Sequence, residues 1–378
     1  MSGIRPFEAA DARAVASLWQ YWFRDKTRDP DPDLVDLVQR VYVHHPHRAE
    51  GVRPLVAVGD DGALQGFLGV TATPVWVDER PATLAGLFPS VVDPDAPSAV
   101  ASLLLRTALG GPQAFSFSDG GHVKFERIWE TLGGRIAHLA SLRWVKLLRP
   151  AAVGTMTFAQ GSRAVLRPLL RPLAAGADAL ARRAARERFT SVRPRVPGQR
   201  TPPPELAGEP LTPVAMLEAN ERLHRGLRLR PAYDEAYLAW LFAELRRIRG
   251  HGELAATLVR DPAGGVAGYH VAYLAAGGVS RVFALEAAAR HVDGVVDHLC
   301  AQADAAGAAA VIGRLTPALR RPMAARGCLV HPGGSLLMLH ARDASLMDAV
   351  ELGRAALSRL DGENWFWWAI VGQRGGHV

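Results

Sequence analysis

Lysine and cysteine are scarce in this chain of 378 residues, and long apolar runs are absent. Only Lys26, Lys124 and Lys146 are lysines among the 44 basic residues, which indicates GC-rich bacterial coding rather than selection for a polyanion. Cys300 and Cys328 form neither a CxxC pair nor a metal-type spacing, so we expect buried thiols in a reducing compartment. No stretch approaches the roughly 18 apolar residues of a membrane span, and the first residues lack a signal-peptide core. We therefore expect a soluble cytoplasmic protein with no membrane partner and no metal.

Charge is distributed unevenly along the chain. The formal net charge is +7, and 49% hydrophobic with 21% charged residues excludes a disordered or disulfide-based protein. Residues 160–200 contain ten arginines against Asp178 and Glu187, so the remaining chain is close to neutral. The basic balance is therefore a property of one segment, and composition predicts no nucleic-acid partner.

The apolar pattern of residues 1–150 predicts a mixed sheet with helices on both faces. Predicted strands occupy residues 4–7, 54–59, 64–71, 83–92, 113–117 and 135–148, and predicted helices occupy residues 11–22, 34–42, 98–109 and 123–132. Residues 60–62, Asp-Asp-Gly, form the turn of a hairpin between the second and third strands.

Residues 211–342 have nearly the same predicted element order. Helices are predicted at 213–223, 234–247, 292–305 and 317–326, and strands at 254–259, 266–274, 279–285, 308–312 and 336–340. The predicted fold class is α/β, more closely an α+β mixed sheet, with one topology used twice and no residue-level repeat.

The segment between these halves has a different composition. Pro168 and Pro172 are expected to break a single straight helix there, and a basic helix is predicted at 178–189. The proline-rich stretch up to residue 210 predicts an extended linker. We therefore expect an N-terminal domain at 1–150, a basic helical connector and linker at 151–210, and a second domain at 211–378 that ends in a helix and an aromatic tail.

Four segments of the first half resemble the GNAT acyltransferase superfamily. They are residues 4–13 (IRPFEAADAR), 66–69 (GFLG), 92–94 (VDP) and 129–133 (WETLG). Residues 264–268 (GGVAG) provide a weaker match in the second half. Together they resemble a tandem-GNAT protein, in which two acyl-CoA N-acyltransferase domains follow one another and one of them is commonly degenerate.

The resemblance implies acyl transfer from a thioester to an amine in a cleft where two neighbouring strands separate. It implies that the strand before this cleft binds the pantetheine arm through its main chain, here Phe88, Ser90, Val91 and Val92. Amides at the next helix start would bind pyrophosphate, here near Ser98, which alternatively only caps the helix. The implied cosubstrate is acetyl-CoA or another acyl thioester.

The chain departs from the GNAT pattern at two positions. The glycine-rich phosphate loop is replaced by residues 97–102 (PSAVAS), and the tyrosine that protonates the leaving thiolate aligns with Trp129. An indole is not a general acid at neutral pH. These departures favour an unusual acyl-CoA, or a phosphopantetheine arm on an acyl carrier protein, as the donor.

Candidate proton-transfer residues lie at the ends of two predicted strands. Asp119 and His122 follow the strand beyond the expected cleft, where they are either an acid and a base or an ordinary turn with a surface histidine. Glu286 follows the corresponding strand of the second half, near Arg290, His291 and Asp293. It is either a general base beside a phosphate-binding arginine or part of a helix-capping cluster.

Candidate acceptor-binding residues are histidines and tyrosines. His44 and His45, with His47, form either an acceptor wall or a solvated helix end, and their spacing around Pro46 excludes a shared metal. Tyr269 and Tyr273 share one face of a predicted strand, which fits an acceptor pocket or a half-exposed sheet. Residues 365–368 (WFWW) are predicted to pack the tail across the halves, or to form a ligand platform.

The leading hypothesis is an N-acyltransferase that acts on a small-molecule amine, with the donor in the first half and the acceptor between the halves. One alternative is a catalytically silent GNAT pair with a binding or scaffold role. Another is a Fem-like transferase that uses aminoacyl-tRNA, for which the basic segment would bind the donor. The basic segment is otherwise a solvated structural helix.

Overall fold

The computed structural model describes residues 3–121, 123–158, 167–188, 206–333, 335–362 and 364–371. The chain forms two compact units that are not contiguous halves. The first unit contains residues 1–141, 226–250 and 334–378, and the second contains residues 142–225 and 251–333. These bounds differ from the predicted boundaries at 150 and 211, because two segments from the later part of the sequence belong to the first unit.

Fifteen strands and thirteen α-helices lie in the described residues. The strands are β1 Gly3–Pro6, β2 Leu55–Val58, β3 Leu64–Val77, β4 Arg80–Val92, β5 Phe115–Gly121, β6 Arg135–Ile136, β7 Leu142–Leu147, β8 Ala207–Pro210, β9 Leu229–Pro231, β10 Glu253–Arg260, β11 Val266–Leu274, β12 Val279–Ala287, β13 Ala310–Arg314, β14 Leu329–Pro332 and β15 Leu336–Ala341. The helices are α1 Ala12–Trp19, α2 Pro32–Val38, α3 Val100–Leu109, α4 Val123–Thr131, α5 His138–Ser141, α6 Pro150–Phe158, α7 Arg167–Arg188, α8 Pro213–Leu223, α9 Glu235–Arg247, α10 Val292–Ala305, α11 Arg320–Ala325, α12 Ala344–Glu351 and α13 Asn364–Val371.

The sheet of the first unit has the order β1-β2-β3-β4-β5-β15-β6, with β9 paired to β3. All neighbours are antiparallel except β4 and β5, which are parallel. The hairpin β2–β3 is the one predicted from its turn residues. The last full strand of the sheet, β15, was predicted to complete the second half but lies between β5 and β6.

The sheet of the second unit has the order β8-β10-β11-β12-β13-β7-β14. It repeats the first sheet position by position: an antiparallel meander of four strands, a parallel fifth strand, and an antiparallel sixth strand. The sixth strand is again distant in sequence, since β7 comes from the region predicted to close the N-terminal domain. The predicted mixed α/β class is therefore confirmed, with sheets that each include a strand from the other half of the sequence.

Helix α10 shows how the apolar pattern builds the core of the second unit. Val292, Val296, Leu299 and Ala303 recur every three or four residues and are buried against β12 and β13. Burial of each valine or leucine side chain in this set contributes about 1.5–3 kcal/mol. Helix α3 packs on the first sheet in the same way, through Leu104 and its neighbours. No helix among the described ranges combines the length and apolarity of a membrane span.

The basic connector forms a helical hairpin in place of the predicted broken helix. Helix α7 continues through Pro172, and Pro168 lies in its first turn, where a main-chain N–H has no helical partner to lose. The Asp178 carboxylate accepts the N–H groups of Ala151 and Ala152 at 2.8 and 3.0 Å, so it caps α6.

We predict that a fragment of residues 1–150 does not fold cooperatively. The fragment lacks β15, so the edge of β5 loses the partner that pairs it at residues 115–118 and 121. Thermal unfolding followed by near-ultraviolet circular dichroism, with the full chain as the reference, measures this. A sharp unfolding transition of the fragment at micromolar concentration would show that β15 is dispensable.

Candidate functional site

In the first unit, two parallel strands separate after a short stretch of pairing. Strands β4 and β5 pair only at residues 84–86 and 115–117. Beyond that point β4 remains paired with β3, and β5 remains paired with β15. We call the resulting gap the first splay.

The second unit has the same feature. Strands β12 and β13 pair only at residues 279–281 and 310–312, after which β12 follows β11 and β13 follows β7. We call this gap the second splay. In both units a register shift interrupts the adjoining hairpin, between Leu68 and Val70 and between Val271 and Ala272. Such irregularities increase local twist and help adjacent strands to diverge.

The predicted pantetheine-binding strand borders the first splay. The Asp93 N–H donates to the Gln65 carbonyl at 2.8 Å, so alternate residues of β4 direct their main-chain groups toward β3. Ser90 and Val92 therefore direct theirs into the splay, and Val91 directs its own toward β3. The predicted cofactor role of this strand stays a prediction.

Side chains of the first unit contact the part of β4 that borders the first splay. The Trp22 indole N–H donates to the Val92 carbonyl at 2.8 Å, and the Tyr42 hydroxyl donates to the Phe88 carbonyl at 2.6 Å. The Phe88 ring lies against Gly120 on β5, where a Cβ would be 2.9 Å from a ring carbon. The splay is thus lined and partly filled by the chain's own aromatic groups.

The aromatic tail adds to this packing. The Phe366 ring centroid is 5.8 Å from Phe88 and 6.4 Å from Tyr42, and Trp365 lies 5.7 Å from Trp240. Both tail residues are buried in the first unit. The side chains of Trp367 and Trp368 lie outside the described residues.

Asp119 lies on β5 at this splay and is buried. Gly362 covers it, since a Cβ at that position would be 2.5 Å from a carboxylate oxygen. His122, its predicted proton-transfer partner, lies outside the described residues, so the pair stays a prediction. Ser98 is exposed before α3, and the N-cap position belongs to Ala99, whose side chain makes no capping bond.

The histidines after α2 differ in their surroundings. His44 is exposed, whereas His45 is buried 4.9 Å from the Trp240 ring, and burial lowers the pKa of His45 to about 4. His47 stacks on Tyr237 at 4.5 Å and lies 3.0 Å from the Asp234 carboxylate. A solvated helix end is therefore wrong for His45 and His47, because α9 supplies aromatic partners that no local pattern indicates.

Trp129, which aligns with the acid tyrosine of GNAT enzymes, is a core residue. It is buried, and its indole N–H donates to the Leu339 carbonyl at 2.7 Å. Gly134 makes room for the ring. The indole therefore ties α4 to β15.

A polar cluster lies beside β12 in the second unit. It consists of Asn220 from α8, His224 directly after α8, Tyr269 from β11 and Glu286 from β12, and we call it the α8–β12 cluster. The Tyr269 hydroxyl donates to Asn220 Oδ1 at 2.8 Å, and His224 Nε2 is 3.5 Å from Glu286 Oε2. Asn220 Nδ2 and both ring nitrogens of His224 are buried without a hydrogen-bond partner.

The local sequence explains how the α8–β12 cluster assembles. Thr212 caps α8 by accepting the Ala215 N–H at 3.2 Å, and Pro213 occupies the first turn. Asn220 and His224 are four residues apart and therefore share one face of the helix end. Tyr269 and Glu286 are cross-strand neighbours, so their side chains project from the same sheet face.

The remaining predicted residues of the second unit have structural partners. Tyr273 is buried against Phe283, with ring centroids 5.5 Å apart, and burial raises its pKa. Asp293 pairs with the buried Arg326 at 2.6 Å, as does Asp297 at 2.8 Å, so Asp293 is the exposed member of an ion-pair network. Arg290 is exposed.

Within the described ranges, no three histidine, cysteine, aspartate or glutamate side chains come together as metal ligands. Comparison with protein-family models finds no match, and comparison with curated proteins finds none either. Comparison with solved structures finds similar folds.

Three of these structures cover most of this chain. A protein of unknown function from Enterococcus faecalis V583, described as a probable N-acyltransferase, has a TM-score of 0.55 and 10% identity over 89% of this chain and 72% of its own. A GCN5-related N-acetyltransferase from Kribbella flavida has a TM-score of 0.53 and 16% identity, and the match covers 91% of this chain and 73% of that protein. A GCN5-related N-acetyltransferase from Anabaena variabilis ATCC 29413 has a TM-score of 0.55 and 10% identity, and the match covers 90% of this chain and 73% of that protein. The chain has a GNAT fold.

Sequence reasoning on the GNAT fold identified Glu286 and Tyr269 but not Asn220 or His224. One sequence signal could have indicated Asn220. This polar residue lies four positions after the apolar Met216, on the apolar face of a predicted helix. Sequence reasoning also did not identify Trp22 and Tyr42, whose acceptors are carbonyl groups of β4. No residue pattern around Trp22 or Tyr42, which follow α1 and α2, indicates those partners.

We predict that Trp129→Phe lowers the free energy of unfolding by about 1–3 kcal/mol, because it leaves the Leu339 carbonyl buried without a donor. Urea denaturation measures the change. Trp76→Phe serves as the control, since no indole hydrogen bond holds that ring among the described contacts. Equal stability of the two variants would remove the structural role of Trp129.

We also predict that stability falls as pH drops below about 6.5. Burial lowers the pKa of His270 to about 3 and that of His45 to about 4, from the ordinary histidine value of 6.5. The unfolded chain therefore binds protons that the folded chain excludes, and each histidine removes up to about 1.4 kcal/mol per pH unit in this window. Denaturation at pH 7.5 and pH 5 should show a smaller difference for the His45→Gln, His270→Gln double variant. An unchanged difference would contradict this assignment.

Proposed function

We propose that this chain transfers an acyl group from a thioester to an amine of a small molecule. The observation that supports this most is the second splay, where β12 loses its parallel neighbour after three residues. A GNAT fold with two matching sheets also supports a tandem origin. The donor is an acyl-CoA or the phosphopantetheine arm of an acyl carrier protein.

The main chain of β12 fits an extended amide-containing arm. The Ala288 N–H donates to the Ala267 carbonyl at 2.9 Å, so by alternation Leu285 and Ala287 direct their main-chain groups into the second splay. Unpaired N–H and C=O groups at a strand edge recruit another extended chain. A pantetheine arm carries amides that complete such a ladder.

We favour the second splay over the first because of what occupies each. In the first splay, Trp22 and Tyr42 already donate to carbonyls of β4, and Phe88 lies against β5. No described side chain donates to the carbonyls of Leu285 or Ala287. The first unit then has a structural role, and the predicted donor site at Ser90, Val92 and Ser98 becomes the less favoured location.

Glu286 has the position and chemistry of a general base. Its side chain is 26% exposed, adjoins the main-chain groups that face the second splay, and approaches His224. The carboxylate accepts a proton from the substrate ammonium, and the neutral nitrogen attacks the thioester carbonyl carbon. The C–S bond then breaks, the thiolate takes a second proton from that nitrogen, and the overall reaction releases one proton.

The nucleotide of an acyl-CoA has few fixed partners here. Exposed Arg290 at the start of α10 is the available cation, and the glycine-rich loop is absent. A carrier-bound arm needs no nucleotide site. This difference keeps the acyl carrier protein as a donor.

We predict that the chain consumes an acyl thioester and that Glu286→Gln lowers kcat about 10²- to 10⁴-fold without weakening thioester binding. Intact-mass spectrometry with a panel of acyl-CoAs, acyl-phosphopantetheine carriers and amines measures both steps. Glu253→Gln, at the exposed first residue of β10, is the matched control and should retain full activity.

Absence of binding or turnover of every thioester by the wild-type chain would overturn the proposed function. A Glu286→Gln variant with wild-type kcat would leave thioester transfer in place but remove Glu286 as its base. A loss in Phe88→Ala equal to that in Glu286→Gln would move the reaction to the first splay.

A further inference from the structure

We infer that the α8–β12 cluster selects acceptor amines that carry an oxygen hydrogen-bond acceptor close to the nitrogen, as in an amino amide or an amino alcohol. This inference rests on the proposed function and names the substrate class of that site. It depends on three side chains, Asn220, His224 and Glu286, and on the hydrogen-bonding capacity that they leave unused.

Asn220 presents a donor to the site. The residue is 7% exposed, and its Oδ1 is held by the Tyr269 hydroxyl at 2.8 Å. This bond fixes the amide plane and leaves Nδ2 as a buried donor without a partner. A buried donor destabilises the protein unless an acceptor reaches it. A ligand carbonyl or hydroxyl oxygen is such an acceptor.

His224 adds one donor and one acceptor. It is 4% exposed, and neither ring nitrogen makes a hydrogen bond. Its Nε2 lies 3.5 Å from Glu286 Oε2, which is within ion-pair range but longer than a hydrogen bond. The ring therefore has unused hydrogen-bonding capacity for a ligand that binds beside the carboxylate.

Glu286 provides the charge that an ammonium group requires. It is the most exposed member of the α8–β12 cluster, so a ligand can reach it from outside. Asn220 and His224 are one helical turn apart, with a Cβ separation of about 5–6 Å. A ligand that meets both Glu286 and Asn220 Nδ2 must carry its ammonium and its oxygen a few bonds apart.

Buried charges elsewhere in the second unit contrast with this cluster. Arg326 is buried and bonds Asp293, Asp297 and main-chain oxygens, and the Lys146 ammonium donates to the Arg326 carbonyl at 2.6 Å. There the described chain itself supplies partners for both of these charged groups. In the α8–β12 cluster, Asn220 Nδ2 and the two ring nitrogens of His224 keep unused hydrogen-bonding capacity, which points to a ligand.

The sharpest test replaces the donor without disturbing the bond that orients it. Asn220→Asp keeps an oxygen that accepts from the Tyr269 hydroxyl but replaces Nδ2 with a second acceptor. Gln302→Glu on α10 makes the same amide-to-acid change outside the cluster and is the matched control. Thermal unfolding of each variant checks that the fold is retained.

Two readouts use glycinamide and propylamine as paired probes, since propylamine has a similar size but no oxygen. We expect the wild-type chain to favour glycinamide about 10²-fold in kcat/KM, because an analogue without the oxygen leaves Asn220 unpaired. We expect Asn220→Asp to reduce this preference to less than about 5-fold and Gln302→Glu to retain it. Saturation-transfer NMR should show the same order of binding without any thioester.

Equal use and equal binding of the two probes by the wild-type chain would overturn the inference, as would full preference in Asn220→Asp. If turnover occurs without preference, the proposed function survives and only the substrate class is wrong. If no thioester is consumed but glycinamide still binds in preference to propylamine, the proposed function fails and the amine site remains.

Discussion

Each splay exists because the two strands that border it are held on their outer sides by different partners. In the second unit, β12 follows β11 and β13 follows β7, so neither strand can keep its short parallel pairing over its whole length. The sixth strand of each sheet is therefore the constraint on which the clefts depend. Without β7 or β15, the outer edge of the fifth strand would be unpaired. No neighbour would then hold the fifth strand away from the fourth strand.

A gap between strands leaves main-chain groups that need partners, and the two units meet this need differently. The first unit supplies its own donors, Trp22 and Tyr42, and packs Phe88 beside them. In the second unit, no described side chain donates to the carbonyls of Leu285 or Ala287, and the α8–β12 cluster includes Glu286 between them. This difference between the units fits our proposal that the first unit has a structural role and that the second unit carries the reaction.

Local sequence patterns predict most elements but not their partners. The hairpin of β2 and β3, helix α10 and the strand that became β12 all follow from apolar periodicity and turn residues. The same patterns place α9 and β15 in the second half, although both belong to the first unit. A period of two indicates a strand, yet it carries no information about which distant strand will pair with it.

The same limit applies to the candidate site. Glu286 was identifiable because it follows a strand that resembles a GNAT cofactor strand. Asn220 and His224 were not identifiable from sequence. They are candidates because their side chains have buried polar atoms without hydrogen-bond partners, and only the packed structure shows this. His45 looked solvated because its ring partners lie on α9, far away in sequence.

The central claim is that the second splay, and not the first, receives the thioester arm. Amide hydrogen exchange with and without a non-reactive thioether analogue of the consumed donor tests it most directly. We expect slower exchange at Leu285 and Ala287 and no change at Ser90 and Val92. Protection of β4 instead of β12, or no protection of either strand by a bound analogue, would contradict it.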